Sequence, residues 1–337
     1  MVPQAQPLVS VVTPVYNGDR YLAECIESVL AQTYQHWEYD IVNNCSTDRS
    51  LEIAQYYAEK DARIRVHNNV QFLGALQNCN HAFRQCALES KYCKALHADD
   101  WLFPDCIMQM VKVAEANPSV GIVGSYVLAG VRLKCDGLPY PSTVIPGREV
   151  CRWHLLGKGY VFGSPTSLLI RSDLIRSREK FYNESNIHAA DQEACHDVLQ
   201  HADFGFVHQV LTFTRVHDES RSSRQQQLNA FILGKLMVVT KYGPMYLTSE
   251  EYEQCLAKWM QRYYQFLGSS ALQRKGKEFW EYHETGLKNL GLPLSRARLT
   301  KAAIRELYAR FADGLFHPRT TVHRITMSFK NNGKAAR

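Results

Sequence analysis

The chain opens with a short apolar run, Leu8-Val-Ser-Val-Val12, that ends at Thr13-Pro14. After Asn17-Gly18 it gives way to Leu22, Cys25, Ile26, Val29 and Leu30 at helical spacing. A strand, a loop and a helix follow from that pattern, and the pattern repeats. Tyr39 to Val42 reads as a second strand, Leu51 to Ala58 as a helix capped by Ser46 or Thr47, Ile64 to His67 as a third strand and Gly74 to Leu88 as a helix. Tyr92 to Leu96 reads as a fourth strand running into His97-Ala-Asp-Asp100, and Pro104 to Ala116 as a helix with proline in its first turn. This alternation predicts an α/β fold on a single doubly wound, mainly parallel sheet.

In such sheets ligands gather at the carboxyl ends of the strands, where loops converge and helix N-termini offer unpaired N–H groups. Thr13-Pro-Val-Tyr-Asn17, Asn43-Asn-Cys-Ser-Thr-Asp48 and His97-Ala-Asp-Asp100 each follow a strand and are expected to meet at one crevice. Beyond Val120 to Leu133 the regular alternation is interrupted from Gly137 to Gly147, then apolar runs resume at Ser167 to Ile170 and Phe204 to Phe213. From Gln225 onward the pattern is helical. The expected organisation is a domain over 1–224, with a nucleotide-binding half (8–116) and an acceptor half (117–224), followed by a helical extension over 225–337.

With 337 residues, 45 % hydrophobic and 21 % charged, the chain is too apolar to stay disordered and long enough to bury a core without disulfides. The ten cysteines form no C-x-x-C pair, and Met1 to Pro7 lacks the basic and apolar regions of a secretory signal. Both features read as reduced thiols in a cytoplasmic protein. Charge changes this picture at one end. Residues 1–224 carry 21 Lys/Arg against 25 Asp/Glu, whereas 225–337 carry 18 against 8. Within that extension Leu299, Ala303, Ile304, Leu307, Tyr308 and Phe311 recur at helical spacing, with Arg298, Lys301 and Arg305 on another side. A basic amphipathic helix of this kind either rests peripherally on the inner face of an anionic membrane or lies on the catalytic body with its charges in water. No nucleic-acid partner is expected.

The chemistry-bearing residues narrow the function. Neither G-x-G-x-x-G after the first strand nor G-x-x-x-x-G-K-[ST] nor G-x-S-x-G occurs, so the usual signatures of dinucleotide, P-loop and α/β-hydrolase chemistry are missing. Asp99-Asp100 at a strand end is the sharpest feature, because adjacent carboxylates in a crevice repel and are best accommodated by a divalent cation. Two carboxylates in a loop also serve commonly as helix caps. The Asn43 to Asp48 loop offers donors and acceptors suited to a nucleobase and ribose. Asp191 can act as a general base if it faces the same crevice, and Arg215-Val-His217 follows another strand-like run.

Read in order, these pieces resemble the family 2 glycosyltransferases of the GT-A fold. The resemblance is carried by Pro14-Val-Tyr-Asn17, Gln32-Thr-Tyr34, Cys45-Ser-Thr-Asp48, Phe72-Leu-Gly74, Asn80 and His97-Ala-Asp-Asp100. Gly163-Ser-Pro-Thr166, the Asp191 segment and Arg215-x-His217-x-x-Ser220 extend it to roughly residues 8–224. It implies an inverting hexosyltransferase-type enzyme that moves a sugar from a nucleotide-diphosphate donor, UDP- or dTDP-linked, to a carbohydrate or lipid-linked glycan acceptor in cell-surface polysaccharide or glycolipid assembly. It also implies site roles. Pro14, Tyr16, Asn17, Asn43, Ser46, Asp48, Gly74, Asn80, His97, Asp99 and Arg215 would surround the donor. Asp99, Asp100 and His217 would hold Mg2+ or Mn2+, and Asp191 would be the catalytic base.

Two positions depart from the family pattern. Asn43 stands where an acidic residue is usual near the base, which keeps an acceptor for a uracil or thymine N–H while loosening discrimination. His97 stands for the first carboxylate of D-x-D-D, leaving the metal mainly on Asp99 with Asp100 assisting. Two other functions remain open on the sequence. One is a metal-dependent phosphohydrolase using Asp99, Asp100, His188, His196-Asp197 and His217, and the other a non-catalytic nucleotide-sugar-binding partner.

Overall fold

A computed structural model describes residues 6–184, 189–216, 228 and 230–316, the last four of these by backbone alone. The first half alternates as its pattern predicts: β1 (Val9–Val15), α1 (Asp19–Leu30), β2 (Trp37–Asn43), α2 (Ser50–Lys60), β3 (Ile64–Asn68), α3 (Ala75–Phe83), β4 (Tyr92–Ala95), the two-residue β5 (Trp101–Leu102) and α4 (Cys106–Ala116). β1 and β2 are buried along almost their whole length because helices cover both faces, and the polar residues they bury, Glu38 and Asp40 among them, are paired with Ser10 and Arg65. α1 turns Leu22, Cys25, Ile26 and Val29 inward, the i, i+3, i+4, i+7 face of an amphipathic helix.

The second half comprises β6 (Val120–Ala129), β7 (Arg132–Lys134), β8 (Val144–Ile145), α5 (Gly147–Leu156), β9 (Leu168–Arg171), α6 (Ser172–Arg176), α7 (Ala190–Val198) and β10 (Asp203–Thr214). The main sheet runs β3-β2-β1-β4-β9-β6-β10-β5. β3, β2, β1 and β4 are mutually parallel; β9 lies antiparallel between β4 and β6, and β10 returns parallel to β6. The parallel half is thus joined to a mixed half across β9, which is where the regular sequence alternation stops.

Some boundaries differ from the sequence expectation. α3 ends at Phe83 rather than continuing to Leu88, and Pro104 lies two residues before α4 rather than in its first turn. The cap of α2 comes from Asp48, whose Oδ1 accepts from Ser50 N (3.0 Å), not from Ser46 or Thr47. All ten cysteines are free thiols.

The chain continues through α8 (Ala230–Tyr246), α9 (Ser249–Leu272), α10 (Lys277–Asn289) and α11 (Arg296–Phe316). α8 is apolar nearly all round and is buried on two sides. Val238, Val239, Tyr242 and Tyr246 belong to the core beneath the sheet, while Leu233 and Leu236 belong to a smaller core shared with α9 and α10. α11 is laid against α9 where Gly268 meets the backbone of Ala302 and Ala303. No helix among the described residues is long and apolar enough to cross a membrane.

The start of α5 is set by a close approach: a Cβ on Gly147 would lie 2.1 Å from the carbonyl oxygen of Ala202 and 2.2 Å from that of Leu199. Both obstacles are backbone and cannot rotate away. Gly147→Ala is therefore expected to lower stability by about 1–3 kcal/mol, as overpacking does, measured by urea unfolding. An unchanged midpoint would contradict this account of the α5 entry.

Candidate functional site

The loops after β1 and β2 are clasped to each other. Asn17, held in the left-handed region at φ 49°, accepts on Oδ1 from Thr47 N (2.8 Å), and its own amide N–H donates to Ser46 Oγ (3.0 Å). Asn is one of the few side-chain-bearing residues that adopt this conformation readily. Asp48 divides its carboxylate between two helix starts, accepting from Asp19 N (2.9 Å) at α1 and from Ser50 N at α2. Asn17, Ser46 and Asp48, expected to touch the nucleotide, here spend these hydrogen bonds on shaping its loop.

Asn44 makes a second clasp: Oδ1 accepts from Leu73 N (2.8 Å) and from Asn69 Nδ2 (3.0 Å), and Nδ2 donates to Leu73 O (2.8 Å). This fixes Phe72-Leu-Gly74 beside the crevice, with the exposed rings of Phe72 and Tyr16 edge to face at 4.9 Å. Gly74 caps α3, its N–H donating to Gln77 Oε1 (2.8 Å). Asn43 differs from its neighbours. Its Nδ2 donates to Asn68 Oδ1 (2.7 Å), but its Oδ1 is buried with no partner, an unspent acceptor at the carboxyl end of β2. Buried acceptors are nearly always satisfied, so one left over at a strand end is a place for a ligand donor. Pro14, half-buried, lines a narrow cleft with Val12 and Ala95 of β1 and β4.

His97, Asp99 and Asp100 bring one ligand atom each to within 4.8 Å of one another. Asp100 is the buried member, and its oxygens are engaged. Oδ2 accepts from Thr166 Oγ1 (2.7 Å) and more distantly from Thr214 Oγ1 (3.5 Å), and Oδ1 accepts from Arg215 N (3.0 Å). Burial raises its carboxyl above the usual range, a shift that His97 opposes and Asp99 reinforces. Thr166 is itself anchored, because the fully buried Lys94 Nζ donates to its carbonyl. Two carboxylates and an imidazole at this spacing fit a divalent cation, since a cation removes the repulsion between neighbouring acids. Asp99, which the sequence reading made the main metal ligand, is more open than Asp100 and lies in this group. His97 was expected to contact the donor, and the structure sets it in the cation cluster as well.

Arg215 is held rather than free. Nε donates to Asp99 O (3.1 Å), Nη2 pairs with Glu24, and the guanidinium lies 4.2 Å from the Tyr21 ring centroid and 5.1 Å from that of Trp101. His217 and His188 lie outside the described residues.

Asp191 occupies the first turn of α7. Its charge is felt at the hydroxyl of the buried Tyr182, which burial, first, and then Asp191 push far above the ordinary range. Tyr182 in turn lines a narrow cleft with Pro14, His97 and Pro165. Asn80 was expected at the donor and is instead a clamp. Its Nδ2 donates to Tyr182 O (2.9 Å) and its Oδ1 accepts from Tyr182 N (2.8 Å), tying α3 to the segment before Asp191. The sequence reading missed Lys94, Thr166 and Asn44 as site builders. A lysine inside the apolar run Tyr92-Cys-Lys-Ala95 was the available signal, because a buried lysine must have acceptors waiting for it.

The family model for Glycosyl transferase family 2 matches residues 10–178. An uncharacterized glycosyltransferase of Haemophilus influenzae is 26 % identical over 222 residues, covering 64 % of this chain and 68 % of the relative. TuaG of Bacillus subtilis, a putative teichuronic acid biosynthesis glycosyltransferase, is 40 % identical over 135 residues, covering 40 % of this chain and about half (51 %) of TuaG. The crystal structure of S. aureus TarS 1-349 in complex with UDP-GlcNAc is similar in fold, with a TM-score of 0.64 at 17 % identity over 92 % of both chains.

The cluster generates a direct test. Mn2+ is expected to bind the protein in calorimetric titration, and Asp99→Asn or His97→Ala to weaken it by roughly tenfold or more, as loss of a ligand does. Equal affinity in both variants would move the cation elsewhere.

Proposed function

Because the chain belongs to glycosyl transferase family 2 and is a glycosyltransferase, we propose that it transfers a sugar with inversion from a nucleotide-diphosphate donor, UDP- or dTDP-linked, to a hydroxyl of a glycan or lipid-linked acceptor. The observation that carries the donor reading is the unspent Asn43 Oδ1, a buried acceptor suited to the ring N–H of uracil or thymine, beside the exposed Tyr16 and Phe72 rings. His97, Asp99 and Asp100 would hold Mg2+ or Mn2+, the carboxylates suiting either ion. The chemistry such a cation supplies is neutralisation of charge on the diphosphate. Arg215, packed against the backbone of Asp99, adds a fixed positive charge near the same place.

Asp191 takes the proton from the attacking acceptor hydroxyl, and attack on the face opposite the departing diphosphate inverts the anomeric carbon. The likeness to TuaG supports cell-surface polysaccharide assembly as the setting. A phosphohydrolase built on His196 and Asp197 is disfavoured, because His196 is fully buried against the Tyr242 ring and Asp197 accepts from the Tyr242 hydroxyl (2.7 Å). With the matching nucleotide sugar, found by thermal shift across a Mn2+-containing panel, Asp191→Asn should lower turnover by about 10²–10⁴-fold, the range of general-base catalysis. Donor affinity should be retained. Full turnover in that variant, or hydrolysis of simple phosphate esters without any sugar donor, would refute the assignment.

We also propose that α11 rests on an anionic lipid surface, which would bring the enzyme to lipid-linked acceptors on the inner face of the membrane. Leu299 and Ala302 face α9, but Ile304, Leu307, Tyr308 and Phe311 are 49 %, 58 %, 70 % and 69 % exposed at i, i+3, i+4, i+7 spacing. Packing on the body thus uses one face of the helix and leaves the larger apolar stripe in water. The cations Arg298, Lys301 and Arg305 border that stripe, and each can contribute about 1 kcal/mol at an anionic surface. The protein should float with phosphatidylglycerol-containing vesicles at low salt and not with phosphatidylcholine alone, and Ile304→Ser/Leu307→Ser/Phe311→Ser should abolish flotation. Failure to float removes the lipid surface. A dimer in light scattering that the triple variant dissolves assigns the stripe to a second copy instead.

A further inference from the structure

Helix α7, which carries Asp191, is gripped from α8. The Tyr242 hydroxyl donates its one hydrogen to Asp197 Oδ1 (2.7 Å), with Glu193 O farther off at 3.2 Å sharing it, the Tyr246 hydroxyl donates to His196 O (2.5 Å), and Lys241 pairs with Glu193 (3.3 Å). The His196 and Tyr242 rings stack at 4.9 Å. Beside these contacts runs a buried polar chain. Lys235 Nζ meets His154 Nε2 (2.9 Å) and His154 O (3.0 Å), His154 Nδ1 meets His196 Nε2 (3.3 Å), and His196 Nδ1 meets Gln192 O (2.7 Å).

The chain has only one direction. A carbonyl only accepts, so His196 Nδ1 carries the hydrogen. Burial pushes both imidazoles toward the neutral form, His196 to about 3, and a neutral ring with hydrogen on Nδ1 accepts at Nε2. His154 Nδ1 must therefore donate to it, which leaves His154 Nε2 as the acceptor for Lys235. Every link is satisfied in that order, from the ammonium in α8 to the backbone carbonyl adjoining Asp191. The lysine itself is unfavourably placed, since burial is the first cause of the drop in its pKa to about 8. A methionine would fill the same space without that cost, so the amine is better explained by what it fixes than by stability.

We propose that Lys235 is a positioning residue for Asp191: through His154 and His196 it pins the Gln192 carbonyl and so fixes the first turn of α7 and the direction of the Asp191 carboxylate. This rests on Asp191 being the base. On this proposal α8 contributes to the transferase site through its contacts with α5 and α7.

The test is a double-mutant cycle followed by UDP release, in the presence of Mn2+, from whichever of UDP-GlcNAc, UDP-glucose and UDP-galactose is turned over fastest. Lys235→Met should lower kcat about tenfold or more with donor KM within about twofold. In the Asp191→Asn background the same change should alter residual turnover by less than about twofold, because residues acting as a unit are non-additive. Equal losses in both backgrounds, or wild-type kcat in Lys235→Met, overturn the proposal. Tyr242→Phe, which removes the hydroxyl and keeps the ring stack, runs through the same cycle if Lys235→Met does not fold. Hydrogen exchange separates this result from the transferase reading. Amides 190–198 should exchange faster in Lys235→Met while those of β1 and β2 do not change, and unaltered exchange in 190–198 overturns the coupling whatever the donor result. Wild-type turnover in Asp191→Asn would instead remove the base assignment, leaving exchange to decide whether Lys235 fixes α7.

Discussion

The buried carboxylate of Asp100 is the constraint on which the site depends. A carboxylate withdrawn from water must be met by donors or it neutralises. Its donors come from two places distant in sequence: the Thr166 hydroxyl from the turn before β9, and the Thr214 hydroxyl with the Arg215 amide from the end of β10. Lys94, from β4, holds the Thr166 carbonyl from below. One residue therefore draws together β4, β9 and β10, the strands that span the seam between the parallel half of the sheet and the mixed half. His97 and Asp99 are fixed because Asp100 is. Their three ligand atoms are crowded together by the fold itself, which is the condition under which a cation gains most by entering.

The donor half shows a different economy. Asn17, Asn44, Ser46 and Asp48 all look like ligand groups when read along the chain, yet each is matched to another protein group across one of two loops. The matched set makes the crevice rigid before anything enters it, and rigidity of the supporting shell is what gives a binding site its geometry. Asn43 is the residue of that loop whose acceptor is left over. A substitution among the clasping residues acts on the donor through loop shape, whereas a substitution at Asn43 acts on it directly.

This division explains what could be read from the sequence. β1 to β4 and the helices between them were legible because each strand carries a short β-rich run and each helix a one-sided apolar face, and both are local patterns. The placing of polar loops after strands was legible for the same reason. Partners were not. Nothing near Asn80 indicates that it bonds to Tyr182, more than a hundred residues away, or that Asp48 rather than Ser46 caps α2. The insertion of β9 antiparallel between β4 and β6 was equally hidden, since a four-residue apolar run carries no sign of its direction. Thr166 was noticed as part of a motif, but its role depends on Lys94 and Asp100, which only the folded sheet brings to it.

The C-terminal extension shows why composition is a poor guide to division of labour. Its net charge suggests one cationic appendage, but the charge is not where the extension meets the body. α8 holds only two cations: Lys235, half-buried, contacts His154 on α5, and Lys241 pairs from the surface with the buried Glu193 on α7. The positive excess lies on α11 and beyond, on a helix that spends one narrow face on α9 and keeps its apolar stripe in water. A half-buried cation against the His154 imidazole costs desolvation free energy and is retained for geometry, whereas a cation beside an exposed apolar stripe costs nothing until an anionic surface arrives. The same residue type therefore serves opposite ends in one segment. Burial distinguishes the two uses, and burial depends on which helix the sheet needs to complete its core.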